Sequence, residues 1–196
     1  MVYKVFFKRF FDVLMAIIAM GILFIPMVMI GLLIKLTSKG PIFFVQERYG
    51  YNSLKFKLYK FRSMVDNAPQ LANSEFDNIR SYMTPFGMFI RKTSIDELPQ
   101  IWNIIKGDMS FIGPRPLAST DGRVIYLRKI NGADKVLPGI SGLAQVNGRN
   151  NILDEDKAAY DAEYATKLNF RLDLWIIWKT CISVVRRRDV FKDDVQ

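Results

Sequence analysis

The sequence predicts a mostly helical α+β protein, with a small sheet, held to one side of a membrane by its N-terminus. Three observations lead there. Val13 to Ile34 contains no charged residue, and at ~1.5 Å rise per residue that run is about long enough to cross a bilayer core. Leu54 to Met64 alternates apolar with polar or basic residues, the period of a half-buried strand. The remainder is cut by glycine and proline turns into helical stretches. The expected organisation is a membrane-embedded helix with basic flanks over 1–39, a folded body over 40–188 and a flexible tail over 189–196.

Composition narrows the chemistry. There are 28 Lys+Arg against 19 Asp+Glu, a formal net charge of +9, which suits an anionic partner. Cys181 is the single cysteine, so no internal disulfide forms, as fits a reducing compartment. There is no histidine. Ser-His, Cys-His and zinc-His chemistry are therefore excluded, leaving Asp, Glu, Lys, Tyr or an oxygen-bound metal such as Mg²⁺.

The N-terminal apolar run is too long for a signal peptide and lacks a small-residue cleavage site. Lys4, Lys8 and Arg9 precede it, and Lys35 and Lys39 follow. Positive-inside bias wants both ends on one side, which a straight span does not deliver. Pro26 lacks an N–H and clashes with the preceding turn. A re-entrant helix that turns near Pro26 satisfies both observations; an ordinary kinked span is the alternative. Asp12 stands at helical spacing from Lys8 and Arg9 and can pair with both. The two cations suit either an ion pair at the membrane interface or contact with a lipid phosphate.

Gly40-Pro41 closes the apolar run. Ile42 to Gln46 then reads as a short strand and Gln46 to Gly50 as a turn. The second strand carries a cationic face with Lys55, Lys57 and one of Lys60 or Arg62. Asp66 to Tyr82 reads as a polar loop-helix connection, and Thr84-Pro85-Phe86-Gly87 as a turn.

Asp96-Glu97-Leu98-Pro99-Gln100 follows Arg91-Lys92 and opens a helix through Ile101, Trp102, Ile104 and Ile105 to Lys106-Gly107. Ser94 with Glu97 matches a capping box. Asp96 as N-cap fits better, because it keeps Pro99 within the tolerated first turn. Plain capping and catalysis share this geometry. A helix start attracts phosphate and keeps a carboxylate ionised, and an ionised Asp attacks phosphorus without a general base. Glu97 can share a Mg²⁺ with Asp96, and Arg91 and Lys92 lie within reach of a transferring phosphoryl group.

Two further runs carry information. In Gly107-Asp108-Met109-Ser110-Phe111-Ile112-Gly113-Pro114-Arg115-Pro116, two prolines force Arg115 into an extended conformation. That suits bidentate phosphate binding, a structural salt bridge being the alternative. In Pro138 to Arg149, the glycines allow close backbone approach and Asn147-Gly148 turns the chain, placing Arg149 at a loop edge. Neither GxxxxGK nor GxGxxG is present.

Towards the C-terminus, Tyr160 to Tyr164 lies on a polar helix whose acids read as solvated or structural. Trp175 and Trp178 share a helix face and Arg186-Arg187-Arg188 follows. That pattern suits an interfacial amphipathic helix or a helix packed on the core.

Taken together, these motifs resemble the bacterial sugar transferases, the small monotopic phosphoglycosyl transferases. The resemblance runs from Lys8-Arg9 through Gly40 to Phe44, Lys60 to Met64 and Arg91 to Arg149. It implies a re-entrant N-terminal helix and a catalytic domain on the cytoplasmic side of the bacterial inner membrane. The implied reaction moves a sugar-1-phosphate from a UDP-sugar to undecaprenyl phosphate and releases UMP. Asp96 would be the nucleophile, with Glu97 and Mg²⁺ beside it, and Lys60, Arg62, Arg91, Arg115 and Arg149 the phosphate- and nucleotide-binding set. Downstream glycosyltransferases would take the product of this first step of capsule, exopolysaccharide, O-antigen or glycoprotein glycan synthesis. Two departures stand out. Ile25-Pro26 replaces the usual Ser-Pro at the helix break, so Pro26 must bend the helix more alone, and Ser53 replaces a turn glycine. The competing reading is a membrane-tethered basic module that binds polyanions without catalysis, for which the acid pair would be of no use. The resemblance assigns the chain no nucleic-acid partner.

Overall fold

The computed structural model describes residues 3–69, 78–148 and 152–185. A π-helical turn, Tyr3–Phe7, leads into helix α1, Lys8–Thr37. A hairpin of β1 (Phe43–Tyr49) and β2 (Lys55–Phe61) follows, then α2 (Pro85–Lys92), α3 (Gln100–Lys106) and β3 (Ser110–Ile112). The chain continues through α4 (Gly122–Asn131), β4 (Gly139–Ser141), α5 (Leu143–Asn147), α6 (Asp154–Lys167) and α7 (Phe170–Val185). The protein is mostly helical, as expected. Its small β content is divided into an antiparallel β1–β2 pair and a parallel β3–β4 pair.

α1 is a 30-residue helix, the one described helix long and apolar enough to cross a membrane. It runs unbroken through Pro26, so the helix break expected at that residue is not an interruption of the helix. Proline removes a single intrahelical hydrogen bond, and the flanking turns continue. Asp12, Ala16, Met20, Leu23, Met27, Ile30 and Ile34 recur at intervals of three or four and form one face. The first half of that face packs on Ile101, Ile104 and Met109, the second on Phe61 and Ile90. The opposite face, including Ile18, Ile22, Ile25, Met29 and Leu36, is exposed and apolar. α1 is therefore fastened along its inner stripe to the body of the protein and shares its core.

Both ends of α1 are tied down by polar contacts. Lys8 pairs with Asp173 of α7 at 2.9 Å and lies 3.9 Å from Asp12. Arg9 donates to the carbonyls of Ile104 (2.7 Å) and Ile105 (3.2 Å). It thus satisfies the last turn of α3, where a cation also meets the favourable end of the helix dipole. Asp12 does not pair with Arg9 as expected; its Oδ1 accepts from the Phe111 N–H instead. At the far end Arg62, buried at 6 % exposure, donates to Ser38 O at 3.0 Å and Ser38 Oγ at 2.6 Å.

Several boundaries differ from expectation. β1 extends to Tyr49 because its ladder with β2 continues to Lys55, past the turn expected from Gln46. Thr84 caps a helix, accepting from Gly87 N at 2.9 Å, with Pro85 at its first position; a bare turn was expected there. The helix expected from Asp96 begins at Gln100 and is preceded by a 3₁₀ turn over Ile95–Glu97. Asp96 and Ser94 make no side-chain capping bond, so neither is the cap. Gly107, at φ 102°, ends α3 in the left-handed region that glycine tolerates.

α7 has one face packed on the core and one exposed apolar face. Ile176 and Asp173 are buried against the core, whereas Phe170, Leu174, Trp175, Ile177 and Trp178 are exposed. Lys179 lies over both tryptophan rings, 5.4 and 5.9 Å from their centres. The Arg186-Arg187-Arg188 triplet and the tail over 189–196 lie outside the described residues.

Candidate active site

The site is assembled where the β1–β2 hairpin meets α3. Asn103, fully buried on α3, donates to Lys57 O at 2.7 Å and accepts from Tyr59 N at 3.1 Å. This side chain supplies β2 with a backbone partner and so fixes α3 against the strand. Side chains alternate along β2, so Lys60 shares the face of Leu58 and points towards the turn that carries the acid pair. Its Nζ meets Glu97 Oε1 at 2.7 Å.

Asp96 is 7 % exposed. Among the described residues no N–H or O–H donates to its carboxylate. Burial is the largest influence and pushes its pKa up to about 6; Glu97 adds to the rise, while Lys60, Arg91 and Arg115 oppose it. At pH 7 such a group is still roughly 90 % ionised. Ser94, just before it, is held at φ 57°, a left-handed conformation rarely adopted by a non-glycine residue and one that stores strain near functional groups.

A shallow cleft opens beside the pair, lined by Arg48, Leu58, Lys60, Glu97, Gln100, Arg115, Pro116, Gly139 and Ile140. Arg115 is exposed between buried Pro114 and Pro116, so its guanidinium stands into the cleft from a rigid support. That support is braced by glycine: a Cβ on Gly139 would collide with the Gly113 nitrogen, and one on Gly113 with the Leu137 carbonyl. The close approach of these two backbones places the Pro-Arg-Pro segment opposite β2.

Of the expected phosphate-binding residues, Lys60, Arg91 and Arg115 gather around Asp96 and Glu97. Arg91 is buried enough that its charge is disfavoured, and Asp96 counteracts this. Arg62 does not join them. It follows the last residue of β2 and its side chain turns back to the end of α1, where the helix carbonyls attract a cation. Arg149 lies outside the described residues. Lys8 and Arg9 are engaged with α7 and α3, as described above. Two residues were missed in the sequence. Gln100 is 3 % exposed and lines the cleft; an apolar run obscured it. Arg48 lines the cleft from β1, and the strand alternation would have revealed it had β1 been continued to Tyr49.

The pattern that defines bacterial sugar transferases matches residues 3–187. The chain belongs to the bacterial sugar transferase family. It is 41 % identical over 177 residues to the sugar transferase EpsL of Bacillus subtilis, covering 90 % of this chain and 85 % of that one. It is 35 % identical over 196 residues to the exopolysaccharide production protein ExoY of Sinorhizobium fredii, covering 92 % and 86 %. A larger relative is the UDP-glucose:undecaprenyl-phosphate glucose-1-phosphate transferase of Klebsiella pneumoniae. It shares 38 % identity over 184 residues, which cover 89 % of this chain but 39 % of that protein. Family members of both sizes thus match a unit of this length.

Proposed function

We propose that this sugar transferase moves a sugar-1-phosphate from a UDP-sugar to undecaprenyl phosphate, with Asp96 as a covalent nucleophile. The observation that carries the proposal is Asp96 itself: buried, without a direct donor among the described residues, and surrounded by cations next to a cleft that Glu97, Lys60 and Arg115 line. An Asp96 carboxylate oxygen attacks the phosphorus bonded to the sugar, and the bond from that phosphorus to the UMP oxygen breaks. An oxygen of undecaprenyl phosphate then attacks the same phosphorus and displaces Asp96, leaving a lipid diphosphate sugar. Lys60, Arg91 and Arg115 balance the charge that builds on the phosphoryl oxygens.

Mg²⁺ fits this donor set. Asp96 and Glu97 would hold it, and because Mg²⁺ takes one or two carboxylates and fills its shell with phosphate oxygens and water, no third acid is required. When bound, it neutralises phosphoryl oxygens. A chelator is expected to abolish UMP release, and added Mg²⁺ to restore it.

The apolar outer face of α1 and the exposed tryptophans of α7 would lie in the cytoplasmic face of the bacterial inner membrane. With α1 fastened to the body along one face and at both ends, helix and body would lie on that same side, as a re-entrant anchor requires. Downstream glycosyltransferases would extend the product in exopolysaccharide or related glycan synthesis. The test is UMP release across a series of UDP-sugars with detergent-solubilised protein, Mg²⁺ and undecaprenyl phosphate. Asp96→Asn is expected to abolish release; undiminished release would remove Asp96 as nucleophile.

A further inference from the structure

Arg48 is a cleft cation to which the chemistry above gives no task. In the hairpin register Gln46 faces Leu58, Arg48 faces Phe56 and Phe44 faces Lys60. Arg48 therefore stands on the same sheet face as Leu58 and Lys60, and all three line the cleft with Glu97 and Arg115. Gln46 Oε1 accepts from Arg48 Nη2 at 2.6 Å and orients the guanidinium. The Arg48 Nε is buried and has no partner among the described residues. Burial disfavours its charge and the neighbouring Arg115 adds to that, while Asp121 and Glu97 oppose it. A half-satisfied guanidinium beside a second one is a configuration that an anion relieves.

Its position along the cleft is informative. Asp96 and Arg91 do not line the cleft wall that Arg48 lines. Arg115 and Glu97 each act on both Asp96 and Arg48. Arg48 and Arg115 thus share a cleft with Glu97, the chain neighbour of Asp96.

We infer that Arg48 and Arg115 form a single phosphate seat used twice, first by the phosphate that leaves with the nucleoside and then by the attacking lipid phosphate. This rests on the proposed covalent reaction. The bond from Asp96 to phosphorus occupies one side of that atom, and in-line displacement sends the leaving oxygen out on the opposite side with the electron pair of the broken bond. The second nucleophile must approach from that same opposite side to displace Asp96. Both phosphates therefore pass through one position, and the dianionic charge of the departing monophosphate falls on the two guanidinium groups.

The experiment uses the full chain in detergent, with UMP and uridine as probes in titration calorimetry. Arg48→Gln is expected to weaken UMP binding about 10- to 100-fold, the value of hydrogen bonds to a charged group, and to leave the much weaker uridine binding unchanged. UMP formation by enzyme alone, and sugar-phosphate transfer from the isolated phosphosugar-enzyme to undecaprenyl phosphate, are expected to slow by similar factors. Arg48→Lys keeps the charge without the planar fork and is expected to fall between wild type and Arg48→Gln; it decides the matter by the same UMP-to-uridine ratio should the glutamine variant not fold. Equal losses for UMP and uridine would make Arg48 a structural residue, and undiminished UMP binding would remove it from the seat. Slowing of the first half-reaction alone would overturn the double use. A wild-type protein that releases no UMP from any UDP-sugar would instead defeat the underlying reaction.

Discussion

Asp96 and Asp161 are both buried carboxylates whose protonation burial favours, yet the two regions treat their acids in opposite ways. Asp161, on α6, meets Arg128 of α4 directly: its Oδ2 lies 2.8 Å from Nε and 2.5 Å from Nη2. That pair joins two helices, and Arg128 also donates to Arg115 O at 2.8 Å. Asp96 has cations around it but no described donor in contact. The difference separates two uses of a buried charge. Asp161 is neutralised by one fixed partner and committed to the fold, whereas Asp96 meets cations only at longer range among the described residues, which suits the proposed attack on phosphorus. Arg128 connects the two regions, since it holds the carbonyl of the residue that reaches the cleft.

Exchanging each acid for its amide separates the two roles most sharply. Asp96→Asn is expected to lower UMP release at least about 10³-fold, as for loss of a nucleophile, without lowering thermal stability. The rise of its pKa from 3.8 to about 6 means that the ionised form is disfavoured in the folded protein, by up to about 3 kcal/mol. The amide is therefore expected to raise the melting temperature at pH 7. Asp161→Asn is expected to do the reverse, costing about 3 kcal/mol by leaving Arg128 buried and unpaired, with activity that follows the folded fraction. A melting temperature lowered equally by both changes would break the contrast.

Acid sharpens the comparison through sign. The folded pKa of Asp96 lies above its unfolded value, so the folded state binds the extra proton. Its contribution to stability is present below the unfolded value near 3.8 and is lost as pH rises through about 6. Activity moves the other way: protonation would remove the proposed nucleophile, and kcat/KM is expected to fall about tenfold per pH unit below about 6. Melting curves of wild type and Asp96→Asn across that window are expected to converge towards the acid end. The smallest effect is expected at Lys167, whose pairing with Glu163 at 2.9 Å is largely exposed. Lys167→Ala is expected to change stability by less than about 0.5 kcal/mol, a baseline for the buried pairs in the same unfolding assay.

The helix of the acid pair shows how far local signals reach. Its end at Gly107 and the tolerance of Pro99 near its start were legible in the sequence, because both follow from backbone sterics of neighbouring residues. Its start was not. The expected cap at Asp96 gives way to a 3₁₀ turn because burial under the hairpin takes the carboxylate away from the backbone N–H groups it would otherwise cap. Lys60 and Arg62 illustrate the same limit two residues apart. Both are basic and lie at or just beyond the end of one strand, yet one meets Glu97 and the other the end of α1. Their sequence contexts do not distinguish those destinations; the packing of α1 and α3 against the strand does.

By itself, the sequence determined the apolar helix, the mostly helical class, the exclusion of histidine chemistry and the acid pair with its rigid Pro-Arg-Pro neighbour. These depend on composition, periodicity and short-range sterics, which act within a few residues. Tertiary structure alone decided that α1 lies fastened to the body along one face, that Arg9 and Arg62 hold helix ends, and that Arg48 enters the cleft. It also decided which buried aspartate is paired and which meets no donor among the described residues. Burial and pairing depend on groups brought together from distant parts of the chain, so a carboxylate's chemistry is set by neighbours that its own sequence does not name.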